Sequence, residues 1–380
     1  MMARSDPEPR AGPWFVPLSR PPSPYRRGFV QAGLVSLVAW GLLRLLAPGP
    51  ALPWTREMLT AAERMHDALA AASRFCREEG IPMETLADPN RTCLVGPELG
   101  ELFTTVGQLE AKRTSLVPDM AGLLVHLLRE AGVATGDTVA VGASGSFPGL
   151  MIATVAAVEA LGAHPLVVLS LGASSFGATR LEFHLLHLYL LLQEEGVFST
   201  PPAAVSLGGA GDAGLQFDPE VRARAIRDVE RSGLPLLVEQ DLASSVAGRM
   251  ALYSDRVSAF VNIGGTDTNL GRSPRVLALP PGLVEVVRLP PEGEWGVLYE
   301  MVSRGIPVIH LLHIRGLAMR YGLPWDPMPL PAPGSTSLRD DSRGKGPIFW
   351  LLTAAYLGAL ALIVWRGTVR ERARTPNFPG

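Results

Sequence analysis

Two serines sit on a glycine-rich turn, Gly142-Ala-Ser144-Gly145-Ser146-Phe-Pro148. The turn follows the apolar run Thr138-Val-Ala-Val141 and precedes a run carrying Leu150, Ile152, Ala153, Val155, Ala156 and Val158. That order reads as a strand, a turn and a helix. Pro148 suits the first helical turn, because the N–H it lacks has no helical partner there. Two chemistries fit. Free backbone N–H groups and the positive end of a helix dipole converge on one point, which favours a carboxylate or phosphate. The turn also approximates a nucleophile elbow with serine in place of the last glycine, so that Ser144 or Ser146 would attack a carbonyl. Asp241 or Asp267 and His310 or His313 follow in the chain order that such a triad requires, with Asp267 and His310 as the pair singled out. The plain alternative is a strand-to-helix turn that binds nothing.

Three more glycine-rich loops follow apolar runs: Gly172-Ala-Ser174-Ser-Phe-Gly-Ala-Thr179, Gly208-Gly209-Ala-Gly-Asp212-Ala-Gly214, and Asn262-Ile-Gly264-Gly265-Thr266-Asp267-Thr-Asn-Leu-Gly271. In a parallel sheet all four loops emerge at the carboxyl edge, where such folds place their ligands. None continues into Gly-Lys-Ser/Thr, and none has dinucleotide-fingerprint spacing after the first strand. Positive charge for an anion is offered by Lys112, Arg180, Arg249 and Arg272, and arginine grips carboxylates bidentately. Taken singly, each reads equally well as a surface charge. Lys112 stands apart, because the chain's basic residues are otherwise arginine except for Lys345. His184 and His187, three apart on an expected helix, make a possible metal face for which the sequence offers no third ligand. No cofactor or metal is expected.

Positioning these residues requires short apolar strands, expected at 138–143, 166–170, 203–207, 234–238, 258–263 and 306–310. They alternate with helices at 148–161, 180–195, 219–232, 241–253, 294–304 and 313–321. The alternation predicts an α/β domain with a mainly parallel, doubly wound, Rossmann-like sheet covered on both faces. Residues 272–292, with five prolines, read as an insertion or edge hairpin. Residues 55–80 and 118–130 have the apolar spacing of helices.

The chain has 380 residues, 47% of them apolar, and a formal charge of −2, which argues against nucleic acid as the main partner. Residues 1–27 are rich in proline and arginine and predict a disordered tail. The apolar run at 28–47 is just long enough to cross a bilayer. It competes with a cleavable signal peptide but is longer than a usual signal core. A second run, 347–365, is uncharged. Five arginines precede the first run, and Arg366, Arg370, Arg372 and Arg374 follow the second. By the positive-inside rule both termini are cytoplasmic. An extracytoplasmic domain over 51–330 and a linker over 331–346 then lie between the spans, and 366–380 forms a basic tail. Cys76 and Cys93 either bridge, if that segment lies outside the cytoplasm, or are free buried thiols.

The segments Ala-Lys-Arg-Thr-Ser-Leu-Val-Pro118, Gly-Ala-Ser-Gly-Ser-Phe-Pro148, Leu-Gly-Ala-Ser-Ser-Phe-Gly177, Ser-Leu-Gly-Gly209 with Asp212, Val-Asn-Ile-Gly-Gly265 and Tyr321-Gly-Leu-Pro-Trp-Asp-Pro-Met-Pro-Leu-Pro331 occur in this order. Together they resemble the bacterial poly-γ-glutamate system protein family over roughly residues 55–335. Members are membrane-associated and encoded beside the machinery that makes and exports this anionic capsule polymer. The resemblance implies a membrane-anchored accessory component whose partners are synthesis or export proteins and whose ligand is the polymer or glutamate. It assigns no catalytic residue. A serine hydrolase or transpeptidase of γ-glutamyl amides and a non-catalytic scaffold are the other readings. A nucleotide would fit the glycine-rich edge only if the domain faced the cytoplasm.

Overall fold

A computed structural model describes residues 24–46, 51–239, 241–254, 256–285, 287–340 and 347–372. In chain order the elements begin with α1 (Pro24–Leu46), α2 (Arg56–Glu78), β1 (Phe103–Thr105), α3 (Leu109–Thr114), α4 (Asp119–Glu130), β2 (Thr138–Ser144) and α5 (Pro148–Ala160). Next come β3 (His164–Ser170), β4 (Ala173–Ser174), α6 (Leu185–Glu194), β5 (Ala204–Ser206), α7 (Pro219–Ser232), β6 (Leu236–Leu237) and α8 (Leu242–Tyr253). The last are β7 (Ala259–Ile263), α9 (Asp267–Leu270), β8 (Gly282–Val284), α10 (Val297–Ser303), β9 (Val308–Leu311), α11 (Ile314–Tyr321) and α12 (Pro347–Arg372).

Residues 51–340 form one unit, built on a seven-stranded sheet of order β6-β5-β3-β2-β7-β9-β8. All neighbours pair in parallel except β8, which runs antiparallel along β9 at the edge. The proline-rich stretch 272–292 thus supplies the edge strand. The central strand alternates as a pleat must. Val139, Val141 and Ala143 enter the core on one face of the sheet, and Ala140 enters the core on the other. The first face carries α5, buried along its length because it has no charge before Glu159, with α2 and α4 packed over it. The opposite face is covered by α8 and α10 through Val246, Met250, Leu298 and Met301. The expected strand at 234–238 shortens to two residues, and Pro235, which has no N–H, contributes only its carbonyl, to Val205 N.

Thr55 caps α2, accepting from Met58 N at 3.3 Å. From that start Ala61, Ala62, Met65, Ala68, Leu69, Ala72 and Cys76 recur on the buried face. At its far end Cys76 is disulfide-bonded to Cys93, 17 residues on, with Cα atoms 6.4 Å apart. Closing a loop of that length restricts the unfolded chain. A Cys76→Ser, Cys93→Ser variant is therefore expected to lose about 3 kcal/mol. Thermal unfolding with and without reductant checks this, and equal stability of the two proteins would contradict it.

Residues 331–340, assigned above to a linker, pack on the domain. The Asp119 carboxylate accepts from Gly334 N at 2.6 Å and Thr336 N at 2.8 Å, Trp54 Nε1 donates to Thr336 O at 3.1 Å, and Leu338 is fully buried. The domain therefore extends to 340.

Helices α1 and α12 belong to the second unit. Within α12, Pro347–Val369 is long and apolar enough to cross a membrane, whereas the apolar part of α1, Gly28–Leu43, is shorter. Ser36 Oγ and Tyr356 OH meet at 3.0 Å between the two helices. The tail expected to residue 27, the linker over 341–346 and the basic tail beyond 372 lie outside the described residues, although 24–27 and 366–372 are helical.

Candidate functional site

From β2 the chain moves outward through β3, β5 and β6, then returns to the other side of β2 with β7 and β9. The loops after β2 and β7 consequently leave in opposite directions, which opens a crevice at the carboxyl edge. A cavity of about 520 Å³ lies there. It is lined by Ser144 at the end of β2 with Ser146 and Phe147 beyond it, Gly172 and Ser174 after β3, Gly209 and Ala210 after β5, Gly265, Thr266 and Asp267 after β7, and Leu312–Arg315 after β9. All four glycine-rich loops therefore contribute.

Besides Gln216, the remaining wall comes from Thr104–Gln108 and from Ala111 and Lys112 of α3. It is held by a two-stranded parallel ribbon in which β1 pairs with β4, Thr105 opposite Ser174. That ribbon sets Lys112 against Ser174. Lys112 is 2% exposed. Its Nζ donates to the Ser146 carbonyl at 2.5 Å and lies 2.6 Å from Ser174 Oγ and 3.9 Å from the centre of the Phe147 ring. Burial pushes its pKa down to about 7, because desolvation disfavours the ammonium form. The other ionisable side chains on the cavity wall are Asp267, His313 and Arg315.

Ser146 Oγ accepts from Ser174 N at 3.0 Å, so the serine loops after β2 and β3 brace each other. Gly145, Gly172 and Gly264 donate their N–H groups to Ser170, Leu207 and Leu311 carbonyls, so these three extend the strand ladders and are not offered to an anion. Gly264 has φ +79°, and a Cβ there would sit 2.1 Å from Ser144 Oγ, which accounts for glycine. Gly142 is similarly crowded by Asn269 Nδ2, which donates to its carbonyl.

The expected triad is not assembled. Ser144 Oγ is buried without a hydrogen-bond partner among the described residues. His310, inside β9, faces Asn262 across the strand pair, Nδ1 to Nδ2 3.1 Å, and burial lowers its pKa to about 4. Burial raises the Asp267 carboxyl, with Asp212 adding to the rise and the Gly211 N–H opposing it. Asp241 caps α8 through Ser244 N. Of the two histidine candidates, His313 reaches the cavity.

Two expected anion-binding arginines are committed elsewhere. Arg180 donates to Pro82 O at 2.8 Å, outside the cavity wall. Arg249 is fully buried and pairs with Asp212 at 2.5 Å, so Asp212 and the Gly208–Gly214 loop are braced from within. The Ser244 N–H lowers the Asp241 carboxyl and burial raises the Asp267 carboxyl, and Arg272 lies near both and favours the ionised form of each. The sequence reading did not find Phe147, Thr104–Gln108, Gln216 or Arg315. Two of the segments that carry the family resemblance touch each other: Arg113 forks onto Asp326 with two 2.6 Å bonds, and Asp326 N donates to Thr114 Oγ1. No protein-family model, curated protein or solved structure matches the chain.

Proposed function

We propose that this protein is a membrane-anchored accessory component of poly-γ-glutamate biosynthesis or export, with α1 and α12 as its two spans, both termini cytoplasmic and residues 51–340 outside. The anionic polymer, or glutamate itself, occupies the cavity at the sheet edge, and synthesis or export proteins in the membrane are its partners. The family resemblance, the apolar α12 with its arginines and the Cys76–Cys93 bridge, which suits an oxidising compartment, support this reading. The observation that carries it is the Lys112 amine, buried on a cavity wall with the hydroxyls of Ser146 and Ser174 and with no carboxylate bonded to it among the described residues. A substrate carboxylate entering there meets an ammonium group in a low-dielectric setting, where the attraction is strong.

A second reading is favoured by the 2.6 Å separation of Lys112 Nζ and Ser174 Oγ. Serine–lysine pairs perform acyl transfer when the lysine is neutral. Ser174 Oγ would attack a γ-glutamyl amide carbon and give its proton to Lys112. Lys112 would then protonate the departing amine, leaving an ester on Ser174, and water or another amine would release the acyl group by the reverse proton route.

Calorimetric titration of the full-length chain in detergent with γ-glutamate oligomers, glutamate and ATP tests the first reading. Saturable oligomer binding that weakens with salt and is lost in Lys112→Met is expected. Binding of ATP alone would overturn it. Mass spectrometry of the incubated oligomers tests the second reading: Ser174→Ala should abolish cleavage and retain binding. Uncleaved oligomer with the unaltered chain would leave only the binding role.

A further inference from the structure

Neither role of the cavity uses Ser144. It closes β2 where the strand order reverses, between β3 on one side and β7 on the other, and so lies on the floor of the crevice. The residue is 1% exposed, and its Oγ has no hydrogen-bond partner among the described residues. A buried hydroxyl left so is costly, because it forgoes the hydrogen bonds that water gave it in the unfolded chain. The hydroxyl lies against Gly264, where a Cβ would come within 2.1 Å of it. The next two residues, Gly265 and Thr266, line the cavity, and their N–H groups donate to nothing among the described residues. A hydroxyl can donate or accept, whereas the two amides can only donate, so a partner common to all three is an acceptor. Lys112 Nζ donates to the carbonyl of Ser146, two residues further along the same turn. Two residues span at most about 7 Å. The ammonium group and the Ser144 hydroxyl are therefore two donor sites within reach of one small ligand.

We propose that the cavity binds one glutamyl unit by two carboxylates, the first on the Lys112 ammonium and the second on Ser144 Oγ with the Gly265 and Thr266 amides. The inference rests on reading the cavity as a site for γ-glutamate or glutamate, and it narrows that site to one end of the polymer. In a γ-linked chain every internal unit keeps its α-carboxylate, but its γ-carboxyl is consumed in the amide bond. Only the last unit, or free glutamate, carries both carboxylates, separated by three carbons. An amide carbonyl in the second position still accepts from Ser144, but a hydrogen bond to an ionised acceptor is about twice as strong. The site therefore prefers the free carboxyl end of the polymer to its interior. Asp267, on the same loop as the two amides, accepts from the Gly211 N–H and lies near Arg272, so its opposing charge is partly offset.

Calorimetric titration of the full-length chain in detergent compares glutamate with glutamine, and γ-glutamate oligomers free at the last γ-carboxyl with the same oligomers amidated there. The free-ended member of each pair is expected to bind about tenfold tighter. Ser144→Ala should shrink that ratio to about threefold or less. The same variant should leave the melting temperature of the ligand-free protein unchanged or raised, because the hydroxyl it removes has no partner among the described residues. Saturable oligomer binding with equal affinity for free and amidated ends overturns the inference and keeps the polymer as ligand. Glutamate binding that depends on Ser144, without oligomer binding, supports the two-carboxylate site and overturns the polymer. Undiminished discrimination in Ser144→Ala would mean that water satisfies the hydroxyl, and the site falls. No binding of any of the four probes overturns both the site and the reading it rests on.

Discussion

Replacing Asp212 with alanine is expected to lower the unfolding free energy by about 3–5 kcal/mol, the cost of stranding a buried charge by removing its partner. The charge stranded is Arg249, which is 0% exposed. Its Nη2 donates to Asp212 Oδ2, Ser170 Oγ and Ser206 Oγ, and its Nη1 to Asn269 Oδ1. Ser206 Oγ in turn donates to Asp212 Oδ1. One guanidinium from α8 thereby ties the ends of β3 and β5, the turn at 210–212 and α9 into a single network. After Asp212→Ala the hydroxyl and amide acceptors remain, but no negative charge faces the guanidinium. Combining Asp212→Ala with Arg249→Met removes both charges, and the double variant should regain part of the loss, since buried pairs are readily exchanged for apolar packing. Chemical denaturation of the full chain, followed by tryptophan fluorescence, measures both. A loss under about 1 kcal/mol for the single variant would mean that water reaches Arg249, contrary to its burial.

That network explains why sequence reading placed Arg249 and Asp212 among ligand-binding groups. A charge beside a glycine-rich loop reads the same whether it serves a ligand or braces the loop, and only burial separates the two. The strand–turn–helix at 138–160 was legible because a short β-branched apolar run breaks at a glycine/serine turn and a longer apolar run follows from Pro148. The common edge of the four loops followed from parallel pairing alone. The chemistry of the cavity was not legible. Lys112 and Ser174 are 62 residues apart and are brought together by strands of three and two residues, too short to carry a period. His310 matched a triad in order, yet its partner is Asn262, opposite it on the next strand, a pairing fixed by register. Residues 331–340 have a linker's composition, and their backbone is ordered by one remote carboxylate, Asp119.

Lys112→Met should separate stability from function. In the unfolded chain this amine titrates near 10.4, and in the folded protein burial holds it at about 7. Between those values the unfolded state binds more protons, so the stability of the unaltered protein rises with pH across that window and levels off below 7. The slope approaches about 1.4 kcal/mol per pH unit. Lys112→Met lacks this proton, and the difference in unfolding free energy between the two proteins should move toward the unaltered chain from pH 7.5 to 9.5. Tyr189, Tyr253 and Tyr321, whose pKa values burial raises, oppose the trend only above about pH 10, where tyrosine ionises in an unfolded chain. A flat difference across the window would show that the amine is hydrated in the folded state. The same titration separates the two roles of the cavity, with Asp267, His313 and Arg315 as the other ionisable groups on its wall. If the ammonium form grips a carboxylate, oligomer affinity falls as pH rises above 7, up to about tenfold per unit. If the neutral amine activates Ser174, kcat/KM for γ-glutamyl amide cleavage rises through pH 7 to a plateau, and Lys112→Met loses about 10²–10⁴-fold. Opposite slopes from one amine follow because binding uses its proton and the reaction uses its lone pair.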